Sequence, residues 1–223
     1  AEVLAERNEG FIQMTLVSGD PKADAVVYEL LAEVSGRPVL FNVVQTYDDR
    51  PNVHRGTLKW LERCQRQGIR VYGQGQTTDS GITFTFEDWN LYDESPPWRE
   101  ATTGSLEEKL EKLADLARRE ALRNNMPRTV TAPLEQTVVL GPRTDATKPF
   151  ENFTVAEVGE KLGKHPVDAM LDIAVADGLR TLFYAHAPNE NMDFFAEVVN
   201  HPTVPVIFGV SDGGAHTKFL TAG

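Results

Sequence analysis

The sequence predicts an α/β fold built on a parallel sheet. Apolar segments rich in β-branched residues alternate with amphipathic segments of helical period, an order typical of strands joined by crossover helices. The apolar segment VPVIFGV at residues 204–210 has the composition of a strand buried on both faces. With 223 residues, 41% of them hydrophobic and 9% aromatic, the chain is globular in composition and long enough for one sizeable domain.

The alternation is regular in the first part of the chain. Predicted strands and helices follow one another at residues 1–9 (helix), 10–15 (strand), 21–35 (helix), 37–45 (strand), 55–67 (helix) and 69–74 (strand). Gly36 and Gly68 come directly after the two longer helices, where a glycine commonly ends a helix. Helices of this length between apolar strands fit the crossover connections of a parallel sheet.

The alternation breaks down beyond residue 76. Residues 77–103 are rich in aromatic residues, proline and threonine, so we expect a lid-like insertion around residues 77–150. The large aromatic residues of this segment are Phe84, Phe86, Trp89, Tyr92 and Trp98. They could form either a lid or pocket wall, or a separate hydrophobic cluster. The pattern further predicts one charged amphipathic helix at 107–124, a loop up to residue 150, helices at 155–163 and 166–177, and strands at 181–186 and 204–210.

Charge and cysteine content exclude several classes of protein. The net charge of -11 and pI near 4.9 argue against nucleic acid or an anionic membrane as partner, because both require clustered Lys and Arg. The single cysteine, Cys64, excludes an internal disulfide and lies in a helical pattern that favours a buried packing thiol. The sequence has neither a membrane-length apolar run nor a signal-peptide core, so we expect a soluble, cytoplasmic protein.

Carboxamides recur near the C-terminal ends of the predicted strands, where α/β folds place their binding sites. They are Gln13, Asn42, Gln45, Gln74 and Gln76. We expect Gln13, Asn42, Gln45 and Gln74 to bind substrate, with ordinary, fully hydrogen-bonded amides as the alternative.

The segment SDGGAH, directly after the strand at 204–210, is the strongest candidate for catalysis. Gly213 and Gly214 allow a sharp turn, so that Asp212 and His216 could face one cavity, although an ordinary Asp-Gly-Gly turn has the same sequence. Residues 209–213 also match G-x-S-x-G, the nucleophile elbow of serine hydrolases, with Ser211 as nucleophile. The sequence context favours capping or solvent-exposed roles for His54, His165 and His201. His186, which follows an apolar strand, is a weak candidate for a site residue.

The chain resembles the amidohydrolase superfamily, in particular its D-aminoacylase and N-acyl-D-amino-acid deacylase branch. The resemblance rests on SDGGAH after an apolar strand, on PFENFTVAEVGEKLGKHPVDAMLDIAVADGL, and on SGRPVLFNVVQ, HRGTLKWLERCQRQGIRVYGQ and PPWRE. It implies a partial (β/α)8 TIM-type barrel that hydrolyses an N-acyl amide with the help of zinc, and it places Asp212 as metal ligand or general base. His216 would then orient Asp212 or contact the substrate.

This chain departs from the family pattern at the first two strands. Where the family has metal-binding histidines, GFIQMT and PVLFNVVQ offer Gln13 and Asn42 or Gln45, and amides are poor zinc ligands. The hypotheses are therefore a metal-dependent amidohydrolase acting on a small-molecule amide, a serine hydrolase, and a non-catalytic barrel that binds a small ligand. Both ends resemble cut points within a longer protein, and open strand edges would be compatible with a homo-oligomer.

Overall fold

The computed structural model describes residues 1–15, 18–76, 79–88, 90–127, 131–209 and 220–222, the last three by backbone alone. The chain divides into two compact units. Unit 1 contains the described residues of 1–79 and 188–209, and unit 2 contains those of 80–187 together with 220–222. Residues 80–187 of unit 2 thus lie between the two parts of unit 1 along the chain.

The elements of the two units follow one another in chain order. Up to residue 102 they are α1 (Glu2–Arg7), β1 (Ile12–Met14), α2 (Pro21–Ser35), β2 (Val39–Val44), α3 (Asn52–Arg66), β3 (Val71–Gly75), β4 (Gly81–Phe84) and α4 (Pro96–Thr102). They continue with α5 (Leu106–Ala114), α6 (Leu116–Asn124), β5 (Val138–Gly141), α7 (Val155–Leu162), α8 (Pro166–Ala176), β6 (Leu182–His186), α9 (Met192–Val199), β7 (Val206–Phe208) and β8 (Leu220–Ala222). Short 3-10 helices lie at Leu134–Gln136 and Lys148–Phe150.

Unit 1 is built on a parallel sheet, which confirms the predicted α/β class. Its strands lie in the order β1-β2-β3-β7, and every neighbouring pair is parallel. The strands alternate with α2 and α3, as predicted, and the observed bounds of α2 coincide with the predicted residues 21–35. Asp20 caps α2 by accepting hydrogen bonds from the backbone of Lys22 and Ala23, and Gly36 ends it at φ 60°.

The two faces of this sheet differ in character. On one face, Val39 and Val71 are buried in a core formed with side chains of α2, α3 and α9, including Tyr28, Leu61 and Val198. Because side chains alternate between faces along a strand, the opposite face carries Leu40, Tyr72 and three carboxamides, Gln13, Asn42 and Gln74. All three of these helices therefore pack on the same side of the sheet.

Gly73 in β3 provides a test of this packing. A Cβ atom at Gly73 would lie 2.7 Å from Val44 Cγ2 and 2.8 Å from Leu61 Cδ1, both of which are buried. We expect Gly73→Ala to lower the free energy of unfolding by about 1–3 kcal/mol, because the core would be overpacked.

Urea denaturation of the protein measures this effect, with Gly56→Ala in α3 as the matched control. A Cβ atom at Gly56 meets no atom within 4 Å, and alanine favours a helix interior, so the control variant should be at least as stable as the parent. Equal stability of the Gly73→Ala variant and the parent would contradict the packing described for β3.

Unit 2 is built on an antiparallel sheet with the strand order β5-β6-β4-β8. The segment 181–186, predicted as a strand, belongs to this sheet as β6 and takes no part in the parallel one. The segment predicted as a loop up to residue 150 contains β5 and both 3-10 helices. The predicted helix at 107–124 is interrupted at Asp115, whose extended backbone ends α5 while its side chain caps α6 by accepting from the Ala117 backbone.

The aromatic segment after β3 forms the core of unit 2. Phe84, Phe86, Tyr92 and Trp98 are buried and contact one another through their rings, together with Phe183 from β6. These side chains form the hydrophobic cluster that the sequence left as the alternative to a lid, while Trp89 lies outside the described residues. Among the helices that the structure describes, each is too short or too polar to cross a membrane.

Candidate functional site

Predicted carboxamides lie together on the face of the parallel sheet that is turned away from its helices. Gln13 of β1 pairs in register with Leu40 of β2, and Asn42 of β2 pairs in register with Gln74 of β3. Leu40 and Asn42 are two residues apart in one strand, so Gln13, Asn42 and Gln74 share this face. Parallel strands end at a common edge, and these side chains lie toward its C-terminal side.

Gln13 and Gln74 form a continuous hydrogen-bonded relay that reaches β7. Gln13 Nε2 donates to Gln74 Oε1 at 2.6 Å, and Gln74 Nε2 donates to the carbonyl oxygen of Gly209 at 3.3 Å. Gly209 directly follows β7, the strand that pairs with β3. The relay therefore links β1 and β3 to the residue at which the chain leaves β7.

The remaining predicted carboxamides make separate contacts. Asn42 Nδ2 donates to Thr15 Oγ1 at 2.9 Å, and the buried Asn42 Oδ1 has no hydrogen-bond partner within the described residues. Gln45 Oε1 accepts a hydrogen bond from the Tyr47 hydroxyl at 2.9 Å. Burial raises the pKa of Tyr47 above its usual value despite the nearby Arg50, so this hydroxyl keeps its proton and donates at neutral pH.

Gln76 holds the chain where it leaves and re-enters unit 1. Asn189 Nδ2 donates to Gln76 Oε1 at 3.0 Å, and Asn189 is fully buried. The Asp48 carboxylate, which lies after β2, accepts the backbone N–H groups of Glu190 and Asn191 at 2.9 and 3.0 Å. Gln76 thus has a structural role in positioning the returning segment before α9.

The strongest sequence candidates for catalysis lie outside the described residues. Ser211, Asp212 and His216 belong to residues 210–219, so the structure neither places their side chains nor tests their predicted roles. Their sequence position is still informative, because they closely follow β7 and the relay residue Gly209.

The described residues do not fit a zinc site. Within this part of the chain, no group of His, Cys, Asp and Glu side chains has the geometry to hold a metal ion. The strand ends instead carry carboxamides, whose neutral oxygens are weak zinc ligands beside imidazole or thiolate.

A second polar cluster joins α3 and α9, and the sequence did not reveal it. His54, expected to be a capping or solvent-exposed residue, is fully buried, and its Nε2 lies 2.9 Å from Glu197 Oε2. Arg55 donates to both oxygens of the same carboxylate at 2.7 and 2.6 Å. This cluster borders a groove of about 820 Å³ between the two helices, lined also by Lys59 and Asp193.

The cluster of His54, Arg55 and Glu197 is expected to stabilise the protein at neutral pH and to lose this effect in acid. Hydrogen bonds from Arg55 and then His54 lower the pKa of Glu197 from 4.5 to about 2. Because the folded-state pKa is depressed, the stabilisation is fully present above pH 4.5 and is lost as the pH falls toward 2. We expect Glu197→Gln to destabilise the protein at neutral pH and to flatten its acid-induced loss of stability in that window.

Thermal melting from neutral pH down to about pH 2 measures this contribution. The matched control is Glu33→Gln, which replaces an exposed carboxylate on α2. The control should follow the pH profile of the parent. Parallel profiles for the Glu197→Gln variant and the parent would refute the ionic role of Glu197.

His165, His201 and Cys64 have structural roles. His165 caps α8 by accepting from the Val167 backbone at 3.2 Å, as predicted, and His201 Nδ1 accepts from the Val204 backbone at 3.1 Å. Cys64 is buried, as predicted, and burial raises its pKa to about 11, so the thiol is protonated and unreactive at neutral pH. His186 lies in β6 of unit 2 beside Tyr184, with ring centroids 6.5 Å apart.

The relay at the edge of the parallel sheet is therefore the candidate site that the described residues support. Comparison with known protein families, with curated proteins and with solved structures finds no match to this chain.

Proposed function

We propose that the parallel sheet of unit 1 is part of a (β/α)8 barrel. In a doubly wound sheet helices cover both faces, whereas in a barrel they lie only on the outside. The core that buries Val39 and Val71 contains side chains of α2, α3 and α9 on a single face, and the opposite face carries Gln13, Asn42 and Gln74. This one-sided arrangement supports the barrel proposal.

Exposed apolar side chains near the sheet edges are consistent with further barrel units beside them. Ile207 on the edge strand β7 is 48% exposed, and Leu30 on α2 is 54% exposed. Val26 and Val34 extend the apolar stripe of α2 at helical spacing, and both are also exposed. Surfaces of this kind are normally covered in the functional form of a protein.

We infer that this barrel hydrolyses the C–N bond of a small amide, with N-acyl-D-amino acids as the preferred class. The observation that most supports this proposal is the hydrogen-bonded relay from Gln13 through Gln74 to the Gly209 carbonyl, because Gly209 leads into the segment that contains Asp212. α/β enzymes place their chemistry at this edge. Substrate binding is assigned to Gln13, Asn42, Gln45 and Gln74, and His216 is assigned to orient Asp212 or contact the substrate.

In the proposed reaction, Asp212 acts as general base toward water. The carboxylate takes a proton from the attacking water while the water oxygen bonds to the amide carbonyl carbon. The same proton is then delivered to the leaving nitrogen as the C–N bond breaks, and Asp212 returns to its ionised form. The products are a carboxylic acid and an amine, and no oxidant or reductant takes part.

Release of free amino acid from N-acetyl-D-leucine and N-acetyl-D-methionine by the full-length protein tests this function. We expect amine release and no labelling by a fluorophosphonate. Fluorophosphonate labelling at Ser211 would instead establish the serine hydrolase. Binding of these compounds without amine release would establish a non-catalytic barrel.

A further inference from the structure

The chemistry of one backbone carbonyl fixes the orientation of the Gln13–Gln74 relay. A carbonyl oxygen can only accept a hydrogen bond, so Gln74 must present its NH2 group to Gly209, 3.3 Å away. The oxygen of Gln74 then faces Gln13 at 2.6 Å, and Gln13 must present its own NH2 group there. Although the two ends of a glutamine amide have similar shapes, neither amide can be reversed without losing a hydrogen bond.

The fixed orientation leaves an acceptor at the open end of the relay. Gln13 Oε1 has no hydrogen-bond partner within the described residues, and the Gln13 side chain is exposed. Each hydrogen bond in the relay polarises the next, so donation by the Gln13 NH2 group to Gln74 Oε1 is part of a cooperative chain. Asn42 lies beside Gln74 on the neighbouring strand. Its side-chain oxygen, Oδ1, is buried and has no hydrogen-bond partner in the described part of the chain.

We infer that Gln13 Oε1 accepts a hydrogen bond from an N–H group of the bound ligand, so that the site selects secondary amides over N-alkylated ones. This inference rests on the proposed amide hydrolysis and narrows its substrate class. A ligand without the N–H group would leave the Gln13 oxygen without a donor while excluding the water that otherwise solvates it. Gln74 is then a positioning residue, because it acts by holding the Gln13 amide in one orientation.

Calorimetric binding of two probes to the full-length protein tests this selection, with all variants made in an Asp212→Asn background so that the N–H probe is bound but not hydrolysed. The probes are N-acetyl-D-leucine and N-acetyl-N-methyl-D-leucine, which differ in that only the first carries an N–H donor on its acyl amide. We expect the parent to bind the N–H probe about tenfold or more tightly, in line with the cost of an unpaired polar group. Gln13→Leu should reduce this ratio strongly by weakening only the N–H probe.

Gln74→Leu provides a second measurement, since it removes the partner that orients Gln13. It should reduce the ratio of the two affinities less than Gln13→Leu does, because Gln13 Oε1 remains as the acceptor but is no longer held in one orientation. Gln136→Leu, at an exposed glutamine of unit 2, is the matched control and should keep the parental ratio. Melting temperatures verify that each variant is folded.

The outcomes separate the two proposals. Amine release from the N–H probe, together with equal binding of both probes or an unchanged ratio in Gln13→Leu, would overturn the role of Gln13 and leave amide hydrolysis standing. Absence of both binding and amine release for the N–H probe would overturn the proposed function and this inference together.

Discussion

Replacing Asp212 with asparagine is expected to reduce the turnover of an N-acyl-D-amino acid by about 10²–10⁴-fold, the usual loss when general-base catalysis is removed. The amide keeps the size and shape of the carboxylate but cannot take the proton from water. Steady-state kinetics of the full-length protein measure the effect. The loss should appear in kcat, because the proposed binding residues Gln13 and Gln74 are unchanged.

Ser211→Ala is the matched control, since it alters the neighbouring residue of the same segment. If Asp212 is the base, loss of the Ser211 hydroxyl should change turnover little. If Ser211 is a nucleophile, the alanine variant should be inactive and fluorophosphonate labelling should disappear with it. Normal turnover in the Asp212→Asn variant would exclude the general-base assignment.

The parallel sheet could be predicted because its signals are local. The strands and helices up to residue 75 alternate with clear apolar patterns, and Asp20 and Gly36 mark the ends of α2 with familiar capping residues. The carboxamides could be placed at one edge for the same reason, because parallel strands bring their C-terminal ends together. The Gln13–Gln74 contact follows from that topology.

The contacts that escaped prediction depend on partners distant in sequence. His54 pairs with Glu197, 143 residues away, and no local pattern identifies such a partner. The interruption at Asp115 has a local cause, because the same aspartate caps the following helix, yet the charged pattern runs through it unbroken. β6 looked like another parallel strand because its apolar alternation is the same whichever sheet it joins.

The aromatic core of unit 2 was also ambiguous from sequence. An aromatic segment inserted after a strand can cover a site or form a core of its own, and composition is the same in both cases. The burial of Phe84, Phe86 and Trp98, with Phe183 supplied from a distant strand, shows that these side chains hold unit 2 together. Their expected effect on substitution is therefore a loss of stability.

Replacing Trp98 with alanine is expected to lower the unfolding free energy of unit 2 by about 3–5 kcal/mol, the cost of deleting a large buried side chain and leaving a cavity. Trp98 is fully buried, its ring centroid lies 4.7 Å from that of Tyr92, and its Nε1 donates to the Leu122 carbonyl at 3.1 Å. The substitution would also leave that carbonyl without its donor. Leu116→Ala is the control in the same unit, since Leu116 is 72% exposed and should be nearly neutral. Hydrogen exchange of α4 and α6 amides follows unit 2 separately from unit 1. Unchanged protection in the Trp98→Ala variant, or equal losses in both variants, would show that the aromatic cluster does not stabilise unit 2.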